Sequence, residues 1–176
     1  MKRHAYLIKA HHQFDLLEKL LRLLDDERND IYIHIGVGVD YERAKFEKCV
    51  KKSGIFFVDP VKESWGGYSQ IESELHLFEV AAENSYAYYH LLSGVDLPLK
   101  TQDEIHAFFE ANEGKEFIYF CPKSFWKESA YKYAQYRFFQ EKVGRKQSGV
   151  YFFMEKISLF LQRRLGIRRQ QPEMEY

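Results

Sequence analysis

Four short stretches hold the residues that could do chemistry. They are Ala10-His11-His12-Gln13, Gly36-Val37-Gly38-Val39, Trp65-Gly66-Gly67-Tyr68 and Ser93-Gly94-Val95-Asp96-Leu97-Pro98. Three of them directly follow short apolar runs, and the Trp65 stretch leads into a helical pattern. Together they offer an aromatic ring for stacking (Trp65 or Tyr68), backbone amides at glycines, and one carboxylate, Asp96. That set suits a nucleoside and its sugar. Asp96 also has a purely structural reading, as the acceptor that caps amides of its own turn. Leu97-Pro98-Leu99 then reads as an apolar clamp holding that turn to the core.

Other chemistries are absent from the pattern. His11 and His12 are adjacent, so their side chains are expected to diverge rather than form a two-histidine metal face. No further ligands stand at metal spacing, and no Asp-x-Asp pair could hold a divalent ion beside a diphosphate. No metal and no cofactor are therefore expected. No Gly-x-Gly-x-x-Gly follows the first apolar run, and no Walker-type phosphate loop occurs. Nothing marks a Ser-His-Asp or Cys-His nucleophile.

Alternating strands and helices must position these loops. Strands are expected at Ala5–Ala10, Ile31–Ile35, Ile55–Val58 and Tyr86–Leu92, with another at Glu116–Phe120. Helices are expected at Phe14–Leu24, Tyr41–Lys52 and Gln70–Asn84. Ile71, Leu75, Phe78 and Ala82 would be the buried stripe of the last of these. Thr101-Gln102-Asp103-Glu104 is a capping box, so a helix should run from Gln102 to Ala111 and end near Gly114. A β-α-β-α order implies a doubly wound, mainly parallel α/β sheet with helices on both faces. The run from Tyr86 reads as its central strand. In such a sheet ligands bind where the chain leaves the carboxyl ends of the strands.

The totals fit one domain. A chain of 176 residues can bury about 70% of its unfolded surface. With 45% hydrophobic and 30% charged residues it is globular rather than disordered. Acidic and basic residues balance at 26 each, which gives no electrostatic footprint for nucleic acid. The aromatic share of 17% suits sugar or base stacking, or simply an aromatic core. Cys49 and Cys121 offer no disulfide framework. The first residues carry too short an apolar run for a signal peptide, and no later segment is long enough to span a bilayer. A cytoplasmic protein with peripheral membrane contact is the resulting expectation.

After Phe120 the texture changes. Tyr131–Phe139 and Tyr151–Leu165 read as aromatic, basic helices. Between Lys142 and Arg169, Lys and Arg far outnumber Asp and Glu, and Arg163, Arg164, Arg168 and Arg169 cluster at the end. This is either a patch for a diphosphate or an anionic membrane, or a set of cations at a helix C-terminus with a solvated tail.

The combination of Ala10-His11-His12 before an amphipathic helix, Ile33-His34-Ile35, Trp65-Gly66-Gly67-Tyr68-Ser69 before a helix, and Ser93-Gly94-Val95-Asp96-Leu97-Pro98-Leu99 resembles the Core-2/I-branching β-1,6-N-acetylglucosaminyltransferase family in its bacterial form. Xylosyltransferases belong to the same group. The likeness is good over residues 2–120 and looser beyond. It implies a glycosyltransferase-A fold and inverting, metal-independent transfer of GlcNAc or xylose from a UDP-sugar to a glycan or polysaccharide acceptor. It implies donor-binding roles for Ala10, His11, Gly36, Trp65, Ser93, Gly94 and Asp96, with Trp65 near the uracil. Glu116 is the carboxylate expected to touch an acceptor sugar.

Two departures from the family pattern stand out. Gly36 occupies the place of the acidic residue that follows the strand-two His-Ile pair and contacts the base. The family's catalytic Glu, in a Pro-Asp-Glu motif, would fall beyond Tyr176, so the catalytic residue is unassigned. The expectation is a single domain over residues 1–176. Residues 1–120 would be the nucleotide-sugar half, and 121–176 the start of the acceptor half of an incomplete enzyme. The alternatives are a non-catalytic nucleotide- or glycan-binding module of that lineage, and a partner-binding protein.

Overall fold

The structure is a computed structural model that describes residues 3–119, 135–138 and 149–169. The described chain falls into two compact units. One comprises residues 1–63 and 69–115, and the other residues 64–68 and 116–176.

The first unit is a four-stranded sheet. Strand β1 (His4–Ala10) pairs in parallel with β2 (Asn29–Ile35) on one side and β4 (Tyr88–Ser93) on the other. Strand β3 (Gly54–Val58) adds in parallel to β2, giving the order β3-β2-β1-β4. Helices lie between successive strands: α1 (Phe14–Leu24), α2 (Arg43–Glu47) and α3 (Ser69–Ala81), followed by α4 (Gln102–Ala111). This is the expected parallel α/β architecture.

Both faces of the sheet are covered, which is why β1 and β2 read as mostly apolar runs, interrupted by Lys9 and His34. On one face Tyr6, Ile8, Ile31 and Ile33 pack with Leu17, Leu20, Leu21 and Leu24 of α1 and with Phe46 of α2. On the other, Ala5, Leu7 and Tyr32 pack with Leu77 and Ala81 of α3. Each alternate side chain of β1 thus enters a different core, as the two-residue period of a strand requires. The capping box forms as the spacing predicts. The Glu104 amide donates to the Thr101 hydroxyl at 3.3 Å, and the Thr101 amide donates to the Glu104 carboxylate at 3.0 Å. These bonds, led by the Thr101 amide, lower the Glu104 pKa to about 2.

Several expectations are corrected. Strand β4 ends the described sheet rather than lying at its centre, and Leu91 is exposed. Apolar periodicity reports burial but not which neighbour a strand takes. Helix α2 spans five residues, not twelve. Its C-terminal side is drawn off the helical path because the amides of Lys51, Lys52 and Ser53 donate to the Asp25 carboxylate.

The buried stripe of α3 is Ser73, Leu77 and Ala81, while Ile71, Leu75 and Ala82 are exposed. Ser73 is accommodated because its hydroxyl donates to the Gln70 carbonyl. Residues 116–119 form no strand. Leu97 and Leu99 are exposed, Leu99 almost fully, so they do not clamp the turn. Cys49 is buried as expected. Cys121, Phe120 and most of the Tyr131–Phe139 segment lie outside the described residues.

In the second unit, α5 (Val150–Arg164) matches the expected aromatic helix. The buried Gln162 side chain accepts from the Arg137 amide at 2.9 Å and donates to the Arg137 carbonyl at 3.0 Å. Among the described residues no helix is long and apolar enough to cross a membrane.

Candidate functional site

The strand order reverses at β1. From β1 the chain moves outward through β2 to β3, then returns to place β4 on the opposite side of β1. Connections therefore leave β1 and β4 in opposite directions, which opens a crevice at their carboxyl ends. Ala10 and His11 stand at the end of β1, and Ser93, Gly94 and Asp96 at the end of β4.

The two strand ends are held tightly together. The Gly94 amide donates to the Lys9 carbonyl at 2.8 Å. A β-carbon on Gly94 would lie 2.7 Å from the Ala10 β-carbon, so only glycine fits without a shift. On the other side of β1, the Gly36 amide donates to the Ala10 carbonyl at 3.0 Å. Six of the expected donor-binding residues, namely Ala10, His11, Gly36, Ser93, Gly94 and Asp96, thus gather at one sheet edge.

Asp96 closes its own turn. Its carboxylate accepts from the Ser93 amide at 2.7 Å, and its amide donates to the Ser93 carbonyl at 3.0 Å. The capping reading is therefore realised, and the exposed carboxylate still has lone pairs for a ligand. Trp65 and Glu116 group with the second compact unit, not with the sheet. Both are exposed.

His11 and His12 do not diverge. Their rings stack at 4.2 Å with planes 12° apart. The expectation fails because the strand has already ended there. Gln13, which caps α1, takes a left-handed conformation with φ 52° and ψ 50°. A non-glycine residue in that region costs about 1–2 kcal/mol, and such strain concentrates at turns with a defined job. Among the described residues no group of three or more His, Cys, Asp or Glu is placed to hold a metal ion.

Sequence reading missed a polar cluster on the α3 face of the same edge. The Lys9 ammonium donates to the Gln70 carbonyl at 2.9 Å and lies 3.2 Å from Glu63 and 3.4 Å from Glu74. The buried His34 ring accepts from the Val61 amide through Nε2 at 2.9 Å. That bond leaves its proton on Nδ1, 3.8 Å from the Glu63 carboxylate. Burial lowers the His34 pKa, with Glu63 opposing, so the ring is neutral at pH 7. The one available signal was a lysine inside an otherwise apolar strand, Ala5-Tyr6-Leu7-Ile8-Lys9-Ala10.

A parallel sheet whose loops converge on one switch point makes this a doubly wound α/β protein. The sequence pattern of the Core-2/I-Branching enzyme family matches residues 4–155. The chain belongs to that family, and its sheet is of the glycosyltransferase-A-like type. It is also similar to a human N-acetyllactosaminide beta-1,6-N-acetylglucosaminyl-transferase, 28% identical over 116 residues. That match covers 63% of this chain and 29% of the human protein, so the chain spans less than a third of that relative's length.

Proposed function

We propose that the protein binds a UDP-sugar at the carboxyl edge of β1 and β4 and belongs to an inverting, metal-independent transfer of GlcNAc or xylose to a glycan or polysaccharide acceptor. The supporting observation is the switch point itself. Gly94 closed on Ala10, and Gly36 bonded to the Ala10 carbonyl, bring the ends of β1, β2 and β4 together, with His11 and the exposed Asp96 at that edge.

In this reading Ala10, His11 and Gly36 line the nucleoside pocket, and Trp65 stacks on the base. Ser93, Gly94 and Asp96 orient the donor sugar, and Glu116 contacts the acceptor. Basic side chains neutralise the diphosphate in place of a metal. The protein is cytoplasmic and works against a membrane surface, where its acceptor is held.

UDP titration by calorimetry tests the reading. Saturable binding that survives EDTA and falls at least tenfold in Trp65→Ala is the expected result. Binding that disappears with EDTA would overturn metal independence. No binding at millimolar UDP would overturn the donor site.

A further inference from the structure

Helix α5 is amphipathic in an inverted sense. At 3.6 residues per turn, Glu155, Ser158, Leu159 and Gln162 share one side, and that mostly polar side is the less exposed one. Gln162 is buried, and its carboxamide donates to the Ser158 hydroxyl at 3.0 Å as well as meeting the Arg137 backbone. Val150, Phe153, Ile157, Phe160 and Leu161 form the opposite side, and all are exposed, Phe153 at 67% and Phe160 at 65%. An exposed apolar row of this length on a protein surface marks a contact with another apolar phase.

The charges around the row narrow the partner. From Gly149 to Arg169 the basic residues are Lys156, Arg163, Arg164, Arg168 and Arg169, against the single acidic Glu155 on the inward side. Arg164 continues the line of the apolar row at its C-terminal end, and Lys156 holds its ammonium 4.3 Å over the Phe152 ring. Arg168 and Arg169 continue past the helix end. Fifteen residues make a helix about 22 Å long, suited to lie in the headgroup layer rather than to cross it. Phenylalanine on one side with a cationic rim is the chemistry of an interfacial helix on anionic lipid.

We infer that the outward face of α5 docks the protein on an anionic lipid surface. Phe153, Ile157 and Phe160 enter the acyl boundary, while Lys156, Arg164, Arg168 and Arg169 meet lipid phosphates. The inference rests on the membrane contact in the proposed function and names its surface.

Vesicle sedimentation of the full chain tests it, with phosphatidylcholine alone and with phosphatidylcholine containing phosphatidylglycerol. The expected result is binding to the anionic vesicles only, falling with added salt. It should drop more than tenfold in Phe153→Ser/Phe160→Ser and in Arg164→Glu/Arg168→Glu, with unchanged circular dichroism. Binding that persists in both variants would overturn the role of α5 while leaving a membrane contact elsewhere. No binding to anionic vesicles would overturn both. Equal binding to neutral vesicles would remove the role of charge. A self-association of the wild type that Phe153→Ser/Phe160→Ser abolishes would assign the face to a second copy instead.

Discussion

The amide of Gly94 donates to the carbonyl of Lys9 at 2.8 Å, and this bond draws the turn after β4 against the end of β1. The approach leaves a β-carbon on Gly94 only 2.7 Å from the Ala10 β-carbon and 3.3 Å from its α-carbon. Gly94→Ala must therefore push the two strand ends apart. Overpacking of this kind costs about 1–3 kcal/mol, which is about 2–12 °C in Tm for a chain of this size. The same shift should weaken UDP binding, because Gly94 edges the proposed pocket. Gly36→Ala is the control for stability alone, since its β-carbon would meet His11 and Val39 at 3.4 and 3.5 Å, close to ordinary contact, while Gly36 itself lines the proposed pocket. Thermal denaturation of both variants and UDP titration of Gly94→Ala check this. Equal effects would show that the Gly94 contact is not the constraint.

Lys9 is the second test. Its ammonium holds Glu63, just before the Ser64–Tyr68 stretch, and the Gln70 carbonyl, just after it. Glu74 lies 3.4 Å away on the same cation. Lys9→Met leaves two partly buried carboxylates facing an apolar side chain. The loss should be about 1–3 kcal/mol in urea denaturation, below the figure for a fully buried pair because Glu63 and Glu74 keep some solvent. Adding Glu63→Gln should recover part of it, since the second change removes one orphaned charge. Fully additive losses would mean that Lys9 and Glu63 act independently.

Much of this arrangement was legible because it depends on local period. Leu17, Leu20, Leu21 and Leu24 of α1 repeat at helical spacing and are buried, and Thr101 with Glu104 caps α4 as the spacing demands. Parallel topology followed from the alternation of elements, and with it the edge where Ala10, Gly36 and Gly94 meet. What stayed hidden depends on distant partners. Lys9 meets residues 54 to 65 positions away, so its place in an apolar strand hinted at a special role but not at its partners. The stripe of α3 was misplaced because a serine, Ser73, sits on its buried side. The place of β4 at the end of the sheet formed by the described residues was hidden because neighbour order leaves no mark on a strand's own residues.

The opposite end of the sheet gives a prediction in pH. His4 of β1, His90 of β4 and His106 of α4 form one cluster. His4 Nδ1 lies 3.1 Å from His90 Nε2, and His4 stacks on His106 at 4.1 Å. His106 Nε2 donates to Asn29 Oδ1 at 2.9 Å, and His90 stacks on Tyr6 at 4.6 Å. The charged groups around them are Arg28, Asp26, Asp103 and Glu110. In the neutral pair one ring nitrogen donates and the other accepts, so an added proton sets two donors face to face. Burial first, then the neighbouring histidines, lowers His4 to about 3, and burial and His106 lower His90 to about 4. Burial, then Arg28, also lowers His106.

The folded pKa values therefore lie below the unfolded value of 6.5. Above pH 6.5 both states are neutral and the cluster's stability is fully present. As pH falls from 6.5 towards 4, only the unfolded chain takes up these protons, so stability falls. The slope is about 1.4 kcal/mol per pH unit for each histidine that titrates only when unfolded. His90→Phe keeps a ring against Tyr6 and Phe109 and removes one such proton. Denaturant unfolding at pH 7.5, 6, 5 and 4.5 should show a shallower acid slope in the variant, by up to about 1.4 kcal/mol per pH unit. Parallel slopes in the two proteins would remove His90 from the acid response.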